Sequence, residues 1–132
     1  MASNTFANKI LPRREQVNIR NQWLTRRLDT VLPQIMAETS IDMWVILARE
    51  FNEDPILFSM FPAPVMNASR LTGLIFSLRA DGTVERFNLY ARISGAFQPY
   101  YQPVWEKGSE TQWERLSKII QEKDPRRKTQ LR

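Results

Sequence analysis

The chain has 132 residues, of which 42% are hydrophobic, and this suffices for one domain with a buried core. It contains neither histidine nor cysteine, which excludes Ser-His and Cys-His nucleophile pairs, histidine-containing metal sites and disulfide bonds in this chain. The formal net charge is +5, with an excess of basic residues in 1–28 and 123–132 around an acidic body.

The first predicted element is a long amphipathic helix over residues 12–39. Pro12 suits the first turn of a helix, and apolar residues then recur at steps of three and four. These residues are Val17, Leu24, Leu28, Val31, Leu32, Ile35 and Met36. We expect them to form one buried face. Pro33 lacks a backbone N–H, so it should kink the helix or restart it.

A central strand and a short helix are predicted next. Residues 43–48 form a short apolar run without polar alternation, which is typical of a strand covered on both faces. No longer apolar run and no signal-peptide pattern is present, so we expect a soluble protein without a membrane partner. It would be cytoplasmic by default, or exported if a leader has been removed. A short helix is predicted over residues 54–61 and a loop over 62–69.

A β-hairpin is the clearest local prediction. Leu71–Leu78 and Thr83–Tyr90 flank the pair Asp81-Gly82, which favours positive φ in a tight turn. Residues 91–108 then form a long connection with aromatic side chains. These are Phe97, Tyr100, Tyr101 and Trp105. Such rings either line a ligand groove or anchor the connection to the core, and the sequence favours neither alternative.

The last predicted helix starts at Ser109-Glu110-Thr111-Gln112, which has the spacing of a capping box. Its apolar face consists of Trp113, Leu116, Ile119 and Ile120. Pro125 ends it. The order helix, strand, short helix, hairpin and helix predicts an α/β fold, a single domain with a mixed β-sheet and flanking helices.

Charged and polar side chains gather directly after the predicted strand, at Arg49, Glu50, Asn52, Glu53 and Asp54. The three carboxylates could bind Mg²⁺ or Ca²⁺, or act as an acid-base pair. The sequence offers no calcium-loop pattern, no glycine-rich phosphate loop and no second acidic motif to complete such a site. The favoured interpretation is that Arg49 pairs with an acid, Asp54 caps the short helix, and the others face solvent, a neighbouring domain or a partner.

Two basic segments are candidates for a partner surface. Arg20, Trp23 and Arg27 follow helical periodicity beside the apolar stripe, where Trp can stack on a base and Arg can reach phosphate. In the alternative, which is favoured, the arginine stems cover the edge of the core and the guanidinium groups stay in water. The second segment is Pro-Arg-Arg-Lys at residues 125–128, where we expect a frayed, solvated terminus.

Four segments together resemble the amino-terminal domain of the creatinase/prolidase/aminopeptidase P family. They are "NQWLTRRLDTVLPQIMAE", "IDMWVILAREFNEDP", "RLTGLIFS" and "QWERLSKIIQEKDP". The resemblance covers about residues 10–125 and implies a ribonuclease H-like domain over residues 12–125. Residues 1–11 would be a disordered or artificial start, and 126–132 a basic tail. In that family a strand of the form Ile-Gly-hydrophobic-Asn follows "EKDP", whereas residues 126–132 offer Leu131 as their one apolar residue.

The resemblance also implies a function. The family's catalytic domain holds two divalent metals, such as Mn²⁺ or Co²⁺, on two Asp, one His and two Glu residues. A chain without histidine would be the non-catalytic part, without a cofactor of its own, of a larger Xaa-Pro dipeptidase or aminopeptidase. It would contribute to dimerisation and active-site closure. Its partners would be the catalytic domain of the same polypeptide and a second copy in a homodimer.

Two other hypotheses come from the residues alone. A small nucleic-acid-binding domain would use Arg20, Trp23, Arg27 and the basic tail, and its affinity would fall steeply with salt. The acidic body of the chain makes nucleic acid the less favoured partner. A stand-alone carboxylate metal enzyme would depend on Glu50, Glu53 or Asp54, and Mn²⁺ or Mg²⁺ would raise its melting temperature.

Overall fold

The structure, a computed structural model, describes residues 10–49, 55–63, 71–89, 96–106, 108–125 and 128–131. Its first element is one continuous helix in three parts. These are α1 (Arg13–Arg26), a π-helical turn (Arg27–Val31) and α2 (Leu32–Thr39). Pro12 precedes the first turn, where a missing N–H costs nothing. The predicted long helix is therefore confirmed.

The π-helical turn ends at Val31, two residues before Pro33. Proline cannot donate to the carbonyl four residues earlier, that of Asp29, so the α-helical pairing fails at this point. The backbone N–H of Leu32 instead donates to the carbonyl of Arg27, five residues earlier. Pro33 thus follows one widened turn and leaves the helix continuous. Of the predicted kink or restart, the restart does not occur.

Ser40 ends the long helix in the left-handed conformation, with φ 57°. Its N–H donates to the carbonyl of Ala37 at 3.2 Å, and the N–H of Ile41 donates to that of Met36 at 2.9 Å. These two bonds form a Schellman motif. Ile41 packs against the core below the helix end. The motif fixes where the helix stops, but it places a side chain in a conformation that suits glycine.

Replacing Ser40 with Gly is expected to raise the free energy of unfolding by about 0.5–1 kcal/mol. Relief of the left-handed strain, about 1–2 kcal/mol, exceeds the added unfolded-state entropy of glycine, about 0.4–1 kcal/mol. Urea denaturation measures the change. Ser40→Ala is the matched control, because it keeps the Cβ and should give no gain. A less stable glycine variant would contradict the left-handed assignment.

The described strands form one mixed sheet in the order β4-β3-β2-β1-β5. They are β1 (Met43–Ala48), β2 (Thr72–Leu78), β3 (Val84–Asn88), β4 (Gln102–Pro103) and β5 (Lys128–Leu131). The pairs β1-β2 and β2-β3 are antiparallel, whereas β1-β5 and β3-β4 are parallel. Two further helices are α3 (Pro55–Met60) and α4 (Gln112–Lys123). The predicted mixed sheet with flanking helices is confirmed.

The predicted hairpin joins β2 to β3. Gly82 has φ 88°, as expected for this tight turn. The carboxylate of Asp81 accepts hydrogen bonds from the hydroxyl of Thr83 at 2.6 Å and from its backbone N–H at 2.9 Å. These two bonds hold the pKa of Asp81 below its usual value. The local sequence therefore fixes both the turn and the register of the strands it joins.

The sheet separates two hydrophobic cores, and β1 contributes to both because its side chains alternate. Ile46 and Ala48 belong to the core under the long helix. Met43, Val45 and Leu47 belong to the core under α4. The prediction of a central strand covered on both faces is confirmed. Its burial contributes roughly 1.5–3 kcal/mol for each large apolar side chain.

The last helix begins later than its sequence predicts. Its N-cap is Thr111, whose Oγ1 accepts a hydrogen bond from the N–H of Glu114 at 3.1 Å. Gln112, predicted to complete a box with Ser109, instead donates from Nε2 to the carbonyls of Leu71 and Leu89, both at 2.8 Å. The helix therefore starts at the Thr-x-x-Glu pattern of residues 111–114, and not at the expected Ser-x-x-Gln pattern of residues 109–112.

The structure also differs from the prediction at the start of α4 and in the segment that follows it. Trp113, placed on the apolar face by periodicity, is 51% exposed. After the helix, Asp124 adopts φ 42° and turns the chain back toward the sheet. Residues 128–131 then pair with β1 as the parallel strand β5, with Thr129 opposite Trp44. The frayed, solvated terminus predicted for residues 125–128 is wrong for Lys128, which pairs with Met43, because backbone pairing with an open strand edge needs no apolar side chains. Arg126 and Arg127 lie outside the described residues.

Candidate functional site

Two parallel rows of side chains run along the long helix at a spacing of four residues. The buried row is Leu24, Leu28, Leu32 and Met36, each 1% exposed. The outer row is Trp23, Arg27, Val31 and Ile35. Its three apolar members are exposed by 61%, 41% and 44% in that order. The prediction that Val31 and Ile35 lie on the buried face is wrong, because the neighbouring row already fills the core.

The outer row borders a groove of about 300 Å³. Its lining residues are Trp23, Arg26, Arg27, Val31, Leu32, Ile35, Trp44 and Met60. Three elements meet there, since Trp44 comes from β1 and Met60 from α3. Leu32 and Met60 are buried and Trp44 is half-buried, whereas Arg26 is exposed. The groove therefore combines an apolar interior with basic side chains at its border.

Hydrogen bonds hold the walls of the groove in place. Arg27 donates from Nη1 to the carbonyl of Ser59 in α3. One turn and a half earlier, Asn21 accepts from the N–H of Ala63 at 2.9 Å and donates to its carbonyl at 3.3 Å. Trp44 packs against Phe76, with ring centroids 6.1 Å apart. These contacts connect the long helix to the α3 segment and Trp44 to β2 around the groove.

The predicted partner surface is brought together in part. Trp23 and Arg27 both line the groove, whereas Arg20 is exposed about two turns before Arg27 and outside the groove lining. Arg27 is half-buried and bonded to Ser59, which agrees with an arginine whose stem covers the core edge. Sequence periodicity thus grouped Trp23 with Arg27, which both line the groove, but it did not identify Val31 and Ile35 as exposed lining residues.

Trp44 adds an unusual feature to the groove lining. Its Nε1 is enclosed by protein and has no acceptor among the described residues. An enclosed indole N–H without an acceptor costs about 1–3 kcal/mol. Native proteins keep few such groups, and each calls for an explanation. Trp44 therefore contributes packing with Phe76, while its indole N–H meets no acceptor in the described part of the chain.

The charged cluster after β1 lies mostly beyond the described chain. Arg49 is exposed at the end of the strand. Glu50, Asn52, Glu53 and Asp54 lie outside the described residues, so their roles stay predictions. Within the described ranges, no group of three or more acidic, histidine or cysteine side chains is placed to hold a metal ion.

The aromatic connection is anchored in the core. Phe97 and Tyr101 are buried, and Phe97 meets Phe61 edge to face with centroids 5.5 Å apart. Tyr101 donates its hydroxyl hydrogen bond to the carbonyl of Met60, and burial raises the pKa of this phenol. Trp105 donates from Nε1 to the carbonyl of Glu110 at 2.7 Å. Of the two alternatives that the sequence left open, these contacts favour anchoring, and Tyr100 and Tyr101 also line a cavity beside β3 and β4.

A second cavity of about 530 Å³ lies beside β3 and β4, but its charges are paired within the protein. Glu85 contacts Arg79 at 3.3 Å and Lys123 at 3.0 Å, and Arg86 contacts Asp29 at 3.0 Å. Burial alone would raise the pKa of Glu85, but hydrogen bonds from Lys123 and Arg79 hold it below its usual value. This cavity is larger than the groove, yet it offers a charged ligand little uncompensated charge.

Comparisons of the chain with protein-family models, with curated proteins and with solved structures find no match. The resemblance to the creatinase/prolidase/aminopeptidase P family therefore stays a prediction. Among the helices in the described ranges, none is both long and apolar enough to cross a membrane.

Proposed function

We propose that this chain is the non-catalytic amino-terminal domain of a metal-dependent peptidase of the creatinase/prolidase/aminopeptidase P type. Its contribution would be assembly, through dimerisation and partial closure of the parent's active site. The observation that carries this proposal is the preformed groove between the long helix, β1 and α3, with the exposed side chains of Trp23, Val31 and Ile35 at its border. Exposed apolar surface of this kind marks contact sites, and tryptophan is enriched in them.

The topology gives the proposal a second support. Helices lie on both faces of a mixed sheet, in the chain order that the resemblance implies. A strand also follows the "EKDP" segment, at the place where the family has one, although its residues are Lys128, Thr129, Gln130 and Leu131. A ribonuclease H-like fold is part of the proposal, and the strand order alone does not establish it.

A nucleic-acid-binding function has less support from the same surface. The guanidinium of Arg27 is bonded to Ser59, and Trp23 is the one mostly exposed ring in the described groove lining, whereas stacking of bases calls for several exposed rings. Residues 128–131 belong to the sheet, so four of the seven residues of the predicted basic tail are part of the fold. Protein assembly is therefore the single function that we propose.

The natural reading frame beyond residue 132 tests the family assignment most directly. The proposal expects a downstream domain with spaced Asp, Asp, His, Glu and Glu residues that can hold two divalent metals. The matching biochemical test incubates the purified chain with Xaa-Pro dipeptides and Mn²⁺ or Co²⁺, and no turnover is expected. Light scattering should show dimers. Metal-dependent turnover by this chain alone, or a frame without those ligands, would refute the proposal.

A further inference from the structure

We infer that the groove binds an acidic amphipathic helix of a partner protein, whose apolar face enters between Trp23 and Trp44. This inference rests on the proposed function only in treating the groove as a docking surface. It assigns the groove to a partner's helix and not to the dimer contact, and it does not need the family assignment. It specifies the chemistry of the occupant, which neither the sequence pattern nor the resemblance provides.

The shape of the groove fits a helix. Its outer row, from Trp23 to Ile35, spans twelve residues of a continuous helix, or about 18 Å at 1.5 Å per residue. A partner helix of about three turns covers this length and presents apolar side chains at positions i, i+3 or i+4, and i+7. Trp44 on β1 and Met60 on α3 line the groove together with the long helix. The buried row beneath keeps the outer row in a fixed orientation.

The charge around the groove selects an acidic partner. Arg26 and Arg27 both line it, and no acidic side chain is among its described lining residues. Asp29, the next acid along the helix, already pairs with Arg86 at 3.0 Å on β3. Its charge is therefore compensated away from the groove. Complementary charge at an interface raises the association rate and rejects partners of the wrong sign.

The lining also separates a peptide from a nucleic acid. Val31, Leu32, Ile35 and Met60 offer aliphatic contacts to leucine or phenylalanine side chains, and they cannot stack on successive bases. Trp23 is 61% exposed before binding, so covering it removes a large apolar area from water. A single exposed tryptophan with aliphatic neighbours and basic flanks thus matches an acidic helix better than a single-stranded nucleic acid.

The test uses a synthetic fifteen-residue peptide as its probe, with leucine or phenylalanine at every third or fourth position and glutamate at the others. Binding to the full chain is followed by tryptophan fluorescence and by calorimetry at two salt concentrations. A second peptide replaces every glutamate with lysine. We expect the acidic peptide to bind at least about tenfold more tightly than the basic one, and more weakly at high salt.

Variants locate the binding site. Trp23→Ser is expected to weaken binding of the acidic peptide by about tenfold or more, since tryptophan anchors dominate such contacts. Arg26→Glu should weaken it severalfold and reduce its salt dependence. Trp113→Ser removes a tryptophan that is 51% exposed on α4, and Arg14→Glu makes the same charge change three turns away. Both controls should bind like the unchanged chain. Because Trp23 is mostly exposed, circular dichroism should show that Trp23→Ser is folded.

Four results would overturn the inference. They are equal affinity for the basic peptide, unchanged affinity in Trp23→Ser, tighter binding of a single-stranded oligonucleotide, and a dimer of this chain that fills the groove and excludes the peptide. None of these depends on the reading frame beyond residue 132. A downstream sequence without metal ligands would in turn refute the family assignment and leave the groove chemistry untouched, so the two failures can be told apart.

Discussion

Replacing Phe76 with alanine is expected to lower the free energy of unfolding by about 3–5 kcal/mol. Phe76 is fully buried in β2, and its ring packs against Trp44 and Tyr101, with both centroid distances 6.1 Å. Removing it leaves a cavity between the sheet and the long helix. Because domains of this size are stable by about 5–15 kcal/mol, much of the native stability would be lost.

Guanidinium denaturation followed by tryptophan fluorescence measures this loss. Trp113→Ala is the matched control, since it also truncates an aromatic ring but from a side chain that is 51% exposed on α4. The control should change stability by no more than about 0.5 kcal/mol. Phe76 also supports Trp44, which lines the groove, so its alanine variant should shift the fluorescence of the folded chain. A loss below about 1 kcal/mol for Phe76→Ala would contradict its central packing.

Replacing Gly73 with valine is expected to destabilise the fold by about 1–3 kcal/mol through overpacking. A Cβ at this position would lie 2.9 Å from Cδ2 of Leu47 and 3.3 Å from Cβ of Leu89. Strand propensity alone would predict the opposite sign, because valine favours strands and glycine does not. Urea denaturation therefore decides between steric crowding and propensity by the direction of the change.

A double-variant cycle with Leu47→Ala shows whether the crowding has the proposed source. Leu47→Ala alone should cost about 2–5 kcal/mol, as other buried leucines do. Combined with Gly73→Val it should cost less than the sum, with a coupling of about 0.5–3 kcal/mol, because the added methyl groups occupy the vacated space. Strict additivity would mean that Leu47 is not what valine meets.

The local elements could be predicted from sequence because each depends on neighbouring residues. The strand Met43–Ala48 follows from its uninterrupted apolar run, and the turn at Gly82 follows from the need for positive φ. The strand β5 could not be predicted in this way. Its pairing depends on the free edge of β1, about 85 residues earlier in the chain, and its own side chains carry no strand pattern.

Only some of the groove residues could be predicted from the sequence. Val31-Leu32 and Ile35-Met36 are adjacent apolar pairs, and one residue of each pair fits the core. Periodicity at three and four residues merges the two rows into one broad face, which is why Val31 and Ile35 were expected to be buried. Tracing steps of four from Trp23 would have separated them. The apolar interior supplied by Trp44 and Met60 depends on tertiary packing, which periodicity does not report.

The four-residue spacing of the buried row indicates that the long helix contains one residue more than a regular helix with the same buried face. In a regular α-helix each residue turns by about 100° around the axis. After three steps of four residues, Met36 would therefore point about 120° away from the direction of Leu24. The π-helical turn absorbs this excess and keeps both residues over the sheet. The segment is equivalent to a regular helix with one inserted residue. Without that residue the row would have the spacing i, i+4, i+7 and i+11, the ordinary stripe of an amphipathic helix.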